Sequence, residues 1–278
     1  MRIRFLGSAS ILVAGLLAAP AMAQSVEDGW SGVYVGGSVG ATVQGNDNGS
    51  SILFDTNQDG TFGDTVNTAA PANAFSPGFC GGAANANVPT RGCANDKDGI
   101  EYFGHVGFDK QMGNLVVGVV GEFGKNDIND STSGFSTTPA SYTFTRSLKY
   151  SAGLRLRAGY TPNGQTLFYG TGGGVYGKIR SRFSTTNTAN SFSGNDTSDA
   201  WGWSAGGGVD QKLGKNFSIG LQYLYTSLKD DDYGVRVGPG TAPATNPFLL
   251  VNPTGTDIIR SDEKFRFHSI RATASFRF

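Results

Sequence analysis

The chain alternates apolar and polar positions. From His268 to Phe278, the residues Ile270, Ala272, Ala274, Phe276 and Phe278 share one parity, and Ser269, Arg271, Thr273, Ser275 and Arg277 share the other. Successive side chains of a strand point to opposite faces, so this pattern predicts one apolar face and one cationic, hydroxylated face. The rhythm is clearest where Leu148, Tyr150, Ala152, Leu154, Leu156, Ala158 and Tyr160 alternate with Lys149, Ser151, Gly153, Arg155, Arg157 and Gly159. Along the whole chain it predicts eight strands, at 32–42, 100–111, 115–124, 148–160, 166–178, 200–212, 216–227 and 268–278. On the fifth, Leu167, Tyr169 and Val175 are assigned outward.

The connections carry the second signal. After even-numbered strands they are short: Met112-Gly113-Asn114, Thr161 to Gln165, and Leu213-Gly214-Lys215. After odd-numbered strands they are long, at about 43–99, 125–147, 179–199 and 228–265. An outer-membrane barrel alternates short periplasmic turns with long extracellular loops, and a sandwich has no reason to do so. Aromatic residues sort to strand ends. Phe108, Tyr160, Tyr169, Phe217, Phe276 and Phe278 fall near the periplasmic ends. Tyr102, Phe123, Tyr150, Trp201, Trp203, Tyr223 and Tyr225 fall near the outer ends. From Tyr150 to Tyr160, at about 3.3 Å per residue and a tilt near 40°, the strand climbs roughly 25 Å, the height of an apolar band. The expected fold is all-β, an eight-stranded antiparallel up-and-down transmembrane β-barrel over residues 24–278. Its loops are rich in Asn, Thr, Ser and Gly, so they need not pack tightly.

Composition agrees: 42 of 278 residues are Gly, and helix-forming periodicity is scarce. Arg2 and Arg4, the apolar run Ile11 to Ala19 and then Ala21-Met22-Ala23 read as a secretory signal peptide over 1–23. No later run of about 18 apolar residues offers a helical span. Lys+Arg and Asp+Glu both number 22, a balance that gives no reason to expect nucleic acid as a partner. Cys80 and Cys93 lie in the first long loop of an exported chain, where a disulfide is expected.

The inward parity collects Glu101, His105, Asp109, Glu122 and Asp210 against Lys149, Arg155, Arg157, Lys178, Arg271 and Arg277. Side chains fill an eight-stranded barrel. An unpaired charge in so narrow a space costs several kcal/mol, so these groups are expected to pair in layers across the lumen. Glu101, Glu122, Lys149 and Lys178 lie toward the outer end, and Asp109, Arg157, Asp210 and Arg277 toward the periplasm. The expected role is structural, a barrel plugged by charge pairs that displays its loops at the cell surface, expected as a monomer embedded in outer-membrane lipid. A narrow channel for ions or small solutes is the alternative, and an adhesive or ligand-binding surface on loops one and four is the third.

Catalysis is not expected. His268 and Ser269 are adjacent and so point apart, and His105 has Phe103 and Gly107 at i±2. In loop one, Asp55, Asn57, Asp59 and Asp64 have the oxygen spacing of a calcium loop, with Gly60 at the turn. Position twelve, however, is Val66 and no helix flanks the segment, so a hydrated acidic turn is favoured. No other cofactor is implied.

Three segments then carry a resemblance: Trp30-Ser31-Gly32-Val33-Tyr34-Val35-Gly36-Gly37, Leu167-Phe168-Tyr169-Gly170-Thr171-Gly172-Gly173-Gly174, and Gly202-Trp203-Ser204-Ala205-Gly206-Gly207-Gly208-Val209-Asp210. With the terminal Ser275-Phe276-Arg277-Phe278, the chain resembles the small outer-membrane β-barrel family, the OmpA-like and Omp25/Omp31-like "porin family" of Gram-negative bacteria. The resemblance implies that Phe276 and Phe278 form an assembly signal, read by the outer-membrane insertion machinery. The family commonly has Glu where this chain has Asp210.

Overall fold

Alternation with glycine and β-branched or aromatic residues favours strands. In the computed structural model they dominate the described residues, 29–45, 49–194, 197–230 and 233–278. The segment read as a signal peptide lies outside these residues. The barrel strands are β1 (Gly32–Val43), β2 (Gly99–Met112), β3 (Leu115–Asn126), β4 (Ala140–Tyr160), β5 (Thr166–Thr185), β6 (Thr197–Lys212), β7 (Phe217–Lys229) and β8 (Lys264–Arg277). Each pairs antiparallel with its neighbours, and β8 returns to β1, with Tyr34 opposite Arg277 and Val43 opposite His268. This closure leaves the barrel no free edge. Gly113 and Gly164 take positive φ in two of the short turns.

The barrel is inside out relative to a soluble protein. Leu156 is 71% exposed while the next residue, Arg157, is 8% exposed. The outer belt includes Val33, Val35, Val106, Leu154, Leu221 and Ile270. Among the expected girdle residues, Tyr102, Phe123, Tyr150, Trp201, Trp203 and Tyr223 face outward above the belt, and Phe108, Tyr160, Phe217, Phe276 and Phe278 below it. Inside, room is scarce. A Cβ on Gly107 would run into the Tyr34 ring, so the glycine makes room for that tyrosine opposite it.

Two strand faces differ from expectation. On β5, Leu167, Tyr169 and Val175 are buried in the lumen, and Phe168, Tyr176 and Lys178 turn outward. The strand is apolar on both parities around a glycine run, so alternation alone picks the wrong phase. On β4 the register shifts by one: Tyr150 pairs with Lys178, but Leu148 pairs with Ile179, which leaves Lys149 as the extra residue of a bulge. Above the bulge the faces swap, so Leu148 turns into the barrel and Lys149 lies exposed.

The long connections fold, although their composition does not require it. A four-stranded sheet forms in the order Ser191–Gly194, Gly234–Gly238, Thr256–Arg260, Ile52–Asp55, drawing on three of them. The fourth supplies Asn129–Ser136, which extends the barrel sheet by pairing with the top of β4 and with Gly78–Gly81. Phe54, Phe75, Tyr142, Phe144, Val235, Val237, Phe248 and Ile258 are buried together beneath this headpiece. Aromatic residues scattered among Asn, Ser and Thr supply the apolar area that composition hides. Cys80 and Cys93 are disulfide-bonded, with Cα atoms 6.4 Å apart.

Candidate functional site

The lumen is built in layers, and Trp30 lies in the lowest. Trp30, just before β1, is fully buried against Val116, Leu167 and Tyr169. Its amide donates to Gln111 Oε1 at 2.7 Å, and its carbonyl accepts from Arg277 Nη1 at 2.5 Å. The Lys212 ammonium lies 5.1 Å from its ring centroid.

The next layer is ionic. Arg277 Nη2 donates to Asp109 Oδ2 at 2.8 Å, and Arg157 Nη2 donates to Asp210 Oδ2 at 2.6 Å. Arg157 Nε lies 3.9 Å from Asp109 Oδ1, which links the two pairs. Tyrosine rings complete the layer. The Arg157 guanidinium sits 4.0 Å over the Tyr169 ring, and that of Arg277 sits 4.7 Å over Tyr34. Two acids balance two arginines here, and aromatic faces cover the cations.

Above it, His105 Nε2 and Ser275 Oγ are 2.9 Å apart, beside a space lined by Tyr34, Ser38, Thr171 and Gln222. That space is large enough for a water molecule or two. The third layer is ionic again. Glu122 accepts from Arg155 at 2.5 and 2.7 Å and from Arg271 Nη1 at 2.9 Å. Glu101 accepts from Arg271 Nε at 2.5 Å, from Ser269 Oγ at 3.0 Å and from Asn126 Nδ2 at 2.9 Å. Arg271 also lies 4.1 Å over the Phe103 ring. Every oxygen of these two carboxylates thereby accepts at least one donor, the condition under which buried charge is tolerated.

The top layer is apolar: Ile128, Leu148, Val175, Ile179, Ala200, Leu228, Phe265 and Phe267. At the seam with the headpiece, Asp130 accepts from Arg146 Nε at 2.5 Å and from Arg260 Nη2 at 2.9 Å. Arg146 Nη2 also donates to the Lys264 carbonyl at 2.6 Å. Burial pushes the Asp130 carboxyl up, but the Arg146 and Arg260 charges outweigh it and hold it below its ordinary value of 3.8.

Of the eleven residues assigned to the lumen charge set, Glu101, Asp109, Glu122, Arg155, Arg157, Asp210, Arg271 and Arg277 meet in the two ionic layers. His105 faces the lumen and meets Ser275 there, across β1, a contact between strands that i, i+2 spacing on one strand does not reveal. The assignments of Lys149 and Lys178 are corrected. The bulge turns Lys149 out, and the true phase of β5 puts Lys178 on the outer rim, where its Nζ is 2.9 Å from Asp199.

In loop one, Asp55 accepts from the amides of Gln58 and Gly60, and Asp64 Oδ2 accepts from the amide and hydroxyl of Thr56. These oxygens cap a turn, and Asn57 donates to Asp59. Among the described residues no three His, Cys, Asp or Glu side chains gather as a metal site. Phe276 and Phe278 face outward, their rings 5.3 Å apart.

Trp30, Tyr34, Phe103 and the Asp130 cluster were given no role in the lumen from sequence. Trp30 and Tyr34 carried a signal, as aromatics at or beside the inward parity of a narrow barrel. Asp130, Arg146 and Arg260 carried none, because Arg260 comes from a different loop and the hairpin register that sets Asp130 opposite Arg146 leaves no mark in the sequence.

The outer membrane protein beta-barrel domain model matches residues 9–278. The chain is similar to the 31 kDa outer-membrane immunogenic protein of Brucella melitensis biotype 1, at 26% identity over 173 residues, 62% of this chain and 63% of that protein. It thus spans under two thirds of that relative's length. It is also similar to the 22 kDa outer membrane protein of Rhizobium leguminosarum bv. viciae, at 25% identity over 60% of this chain and 71% of the relative. Among solved structures, OprG of Pseudomonas aeruginosa aligns over 90% of this chain and 99% of its own, at 12% identity and a TM-score of 0.48. With the closed eight-stranded barrel and its apolar outer belt, the match over residues 9–278 places this chain in the outer membrane protein beta-barrel family, as an integral protein of the outer membrane.

Proposed function

We propose that this protein is a closed, non-conducting and non-enzymatic barrel whose role is to hold a folded loop platform at the cell surface. The observation that carries the reading is the stack of layers across the lumen: the Trp30 plug, two charge-balanced ionic layers and the apolar cap. A conducting path would need side chains from every layer to leave at once. Moving Arg157 or Arg271 away would strand buried carboxylates, at about 3–5 kcal/mol each. His105 and Ser275 lie between the ionic layers, so a substrate has no route to them.

Planar-bilayer recording of the refolded protein tests the proposal. The expected record is a flat baseline, and steady porin-sized conductance overturns it. Outer-membrane lipid around the belt and the insertion machinery acting on Phe276 and Phe278 are the proposed partners of a monomer. A ligand-binding role for loops one and four is favoured by their joining in one packed sheet. Binding by whole cells expressing headpiece deletions tests that second reading.

A further inference from the structure

The ribbon from Gly82 to Asp96 lies across a sheet face that the headpiece core does not use. Asn129–Ser136 pairs with the top of β4, and alternation gives this hairpin two faces. Tyr142 and Phe144 point into the headpiece core. The other face carries three cross-strand polar pairs. Ser147 Oγ donates to Asn129 Oδ1 at 2.6 Å, the Ser131 and Thr145 hydroxyls are 2.9 Å apart, and those of Ser133 and Thr143 are 2.8 Å apart. Ser131, Ser133 and Thr143 are buried although they face away from the core. The ribbon lies over them, with Ala83 and Ala84 against both strands of the hairpin. Ser133 Oγ donates to the Gly82 carbonyl at 2.8 Å and accepts from the Ala84 amide at 2.9 Å. On the returning leg, Asp96 Oδ1 accepts from the Ser131 amide at 2.7 Å.

Two features set this ribbon apart from the rest of the headpiece. Among the described residues, the buried apolar side chains include none from 82–96. Hydrogen bonds hold such a segment weakly, because water replaces each partner when the segment lifts. Segments of this kind open locally while a packed core stays closed. The second feature is covalent. The legs of the ribbon pair at Ala83 with Ala94 and at Ala84 with Cys93, and the Cys80–Cys93 bridge ties them to the strand Gly78–Gly81. Gly82, at a φ of 110°, turns the chain off that strand and onto the polar face. Both cysteines are half-buried, within reach of a small thiol.

We propose that residues 82–96 form a thiol-releasable strap over this ladder of hydroxyls. A small thiolate of the glutathione class attacks one sulfur of the Cys80–Cys93 bridge. A mixed disulfide forms, and the other cysteine leaves as a thiolate that takes up a proton. A second thiol resolves the mixed disulfide, which yields two cysteine thiols and one disulfide of the attacking thiol. The freed strap turns about Gly81 and Gly82 and uncovers Ser131, Ser133 and Thr143 as a polar strip. The aromatic core on the opposite face of the hairpin keeps the headpiece folded.

Hydrogen exchange read by mass spectrometry tests this on the refolded full chain in detergent, with millimolar reduced glutathione as the probe. Reduction is expected to speed exchange of the Gly82, Ala84 and Ser131 amides by about tenfold or more. The headpiece strands at 234–238 and 256–260 are expected to change by less than about twofold. Iodoacetamide is expected to label both cysteines after glutathione treatment and neither before it. With the bridge intact, Ser133→Ala is expected to speed exchange at Gly82 and Ala84 by about threefold or more, because it removes the hydroxyl that both contact. Ser191→Ala, on the edge strand of the headpiece sheet, is expected to leave those amides unchanged. The proposal is overturned if the headpiece strands speed up as much as the strap, or if the strap amides change by less than about twofold on reduction. It is equally overturned if glutathione leaves the cysteines unlabelled, or if a folded Ser133→Ala exchanges like the parent. Loss of the heat-modifiable gel shift on reduction also ends the idea, because the bridge would then hold the barrel rather than the strap.

Discussion

Arg271 and Glu101 close on each other over Gly40. In register, Gly40 of β1 stands opposite Arg271 on one side and Glu101 on the other. Having no side chain, it lets Arg271 Nε reach Glu101 Oε1 at 2.5 Å across the strand between them. A Cβ there would meet the Arg271 side chain at 3.0 Å. The last strand is thus tied to the second through the lumen as well as through the sheet.

Replacing Arg271 with Ala leaves Glu101 and Glu122 short of a buried cation. The expected cost is about 3–5 kcal/mol, read as a lower urea midpoint of the refolded barrel. The double variant E101Q/R271M is expected to lose less than the two single variants summed, because both buried charges leave together. Additive losses would show that the pair is not coupled.

The lipid face gives a prediction of opposite sense to that for a soluble protein. Leu156, at 71% exposure, is a surface residue by area. Leu156→Arg is nevertheless expected to destabilise the barrel in a bilayer by about 2–4 kcal/mol. Leu250→Arg, at an exposed headpiece position, is expected to change stability by less than about 0.5 kcal/mol. Reversible unfolding from lipid vesicles compares the two.

Acid loosens the seam between headpiece and barrel. The folded Asp130 carboxyl sits below its ordinary 3.8, so its contribution is complete above that value. It is lost as pH falls through the lowered folded value. Limited proteolysis across pH 7 to 2 is expected to show cleavage of the headpiece at the acid end. In Asp130→Asn the headpiece is already loosened at pH 7, and its residual acid response is smaller. An unchanged acid response in Asp130→Asn rejects the assignment.

The Cys80–Cys93 bridge spans 13 positions. A loop of this size gains about 3 kcal/mol from cross-linking. C80S/C93S is expected to speed proteolytic nicking between residues 78 and 94, while the barrel keeps its heat-modifiable gel migration. Loss of that migration would show that the bridge supports the barrel as well.

The strands were legible because lipid demands a strict period of two, and Leu154 to Tyr160 obeys it without a break. The short turns were legible through Gly113 and Gly164. The eight charges of the ionic layers were legible as inward residues because the same parity carries them. Lys178 was misplaced because Leu167, Tyr169 and Val175 look like lipid contacts, whereas they pack on Trp30 or in the apolar cap. Lys149 was misplaced because a one-residue bulge leaves no mark in an alternating sequence. Hints of the headpiece survive as spaced pairs, Ile52 with Phe54, Tyr142 with Phe144, and Val235 with Val237, each the face of a short strand.

The sequence by itself determined the class of molecule: a barrel in the outer membrane, with eight strands, long loops on one side and charge within. Those features repeat locally, two residues at a time, and need no knowledge of distant partners. Tertiary structure alone decided which charge meets which, that Gly40 admits the Arg271 bridge, that Trp30 packs inside the lower end of the barrel, and that four loops share one core. Each of those depends on contacts between residues up to 247 positions apart, and register and bulges set such distances without changing the pattern along the chain.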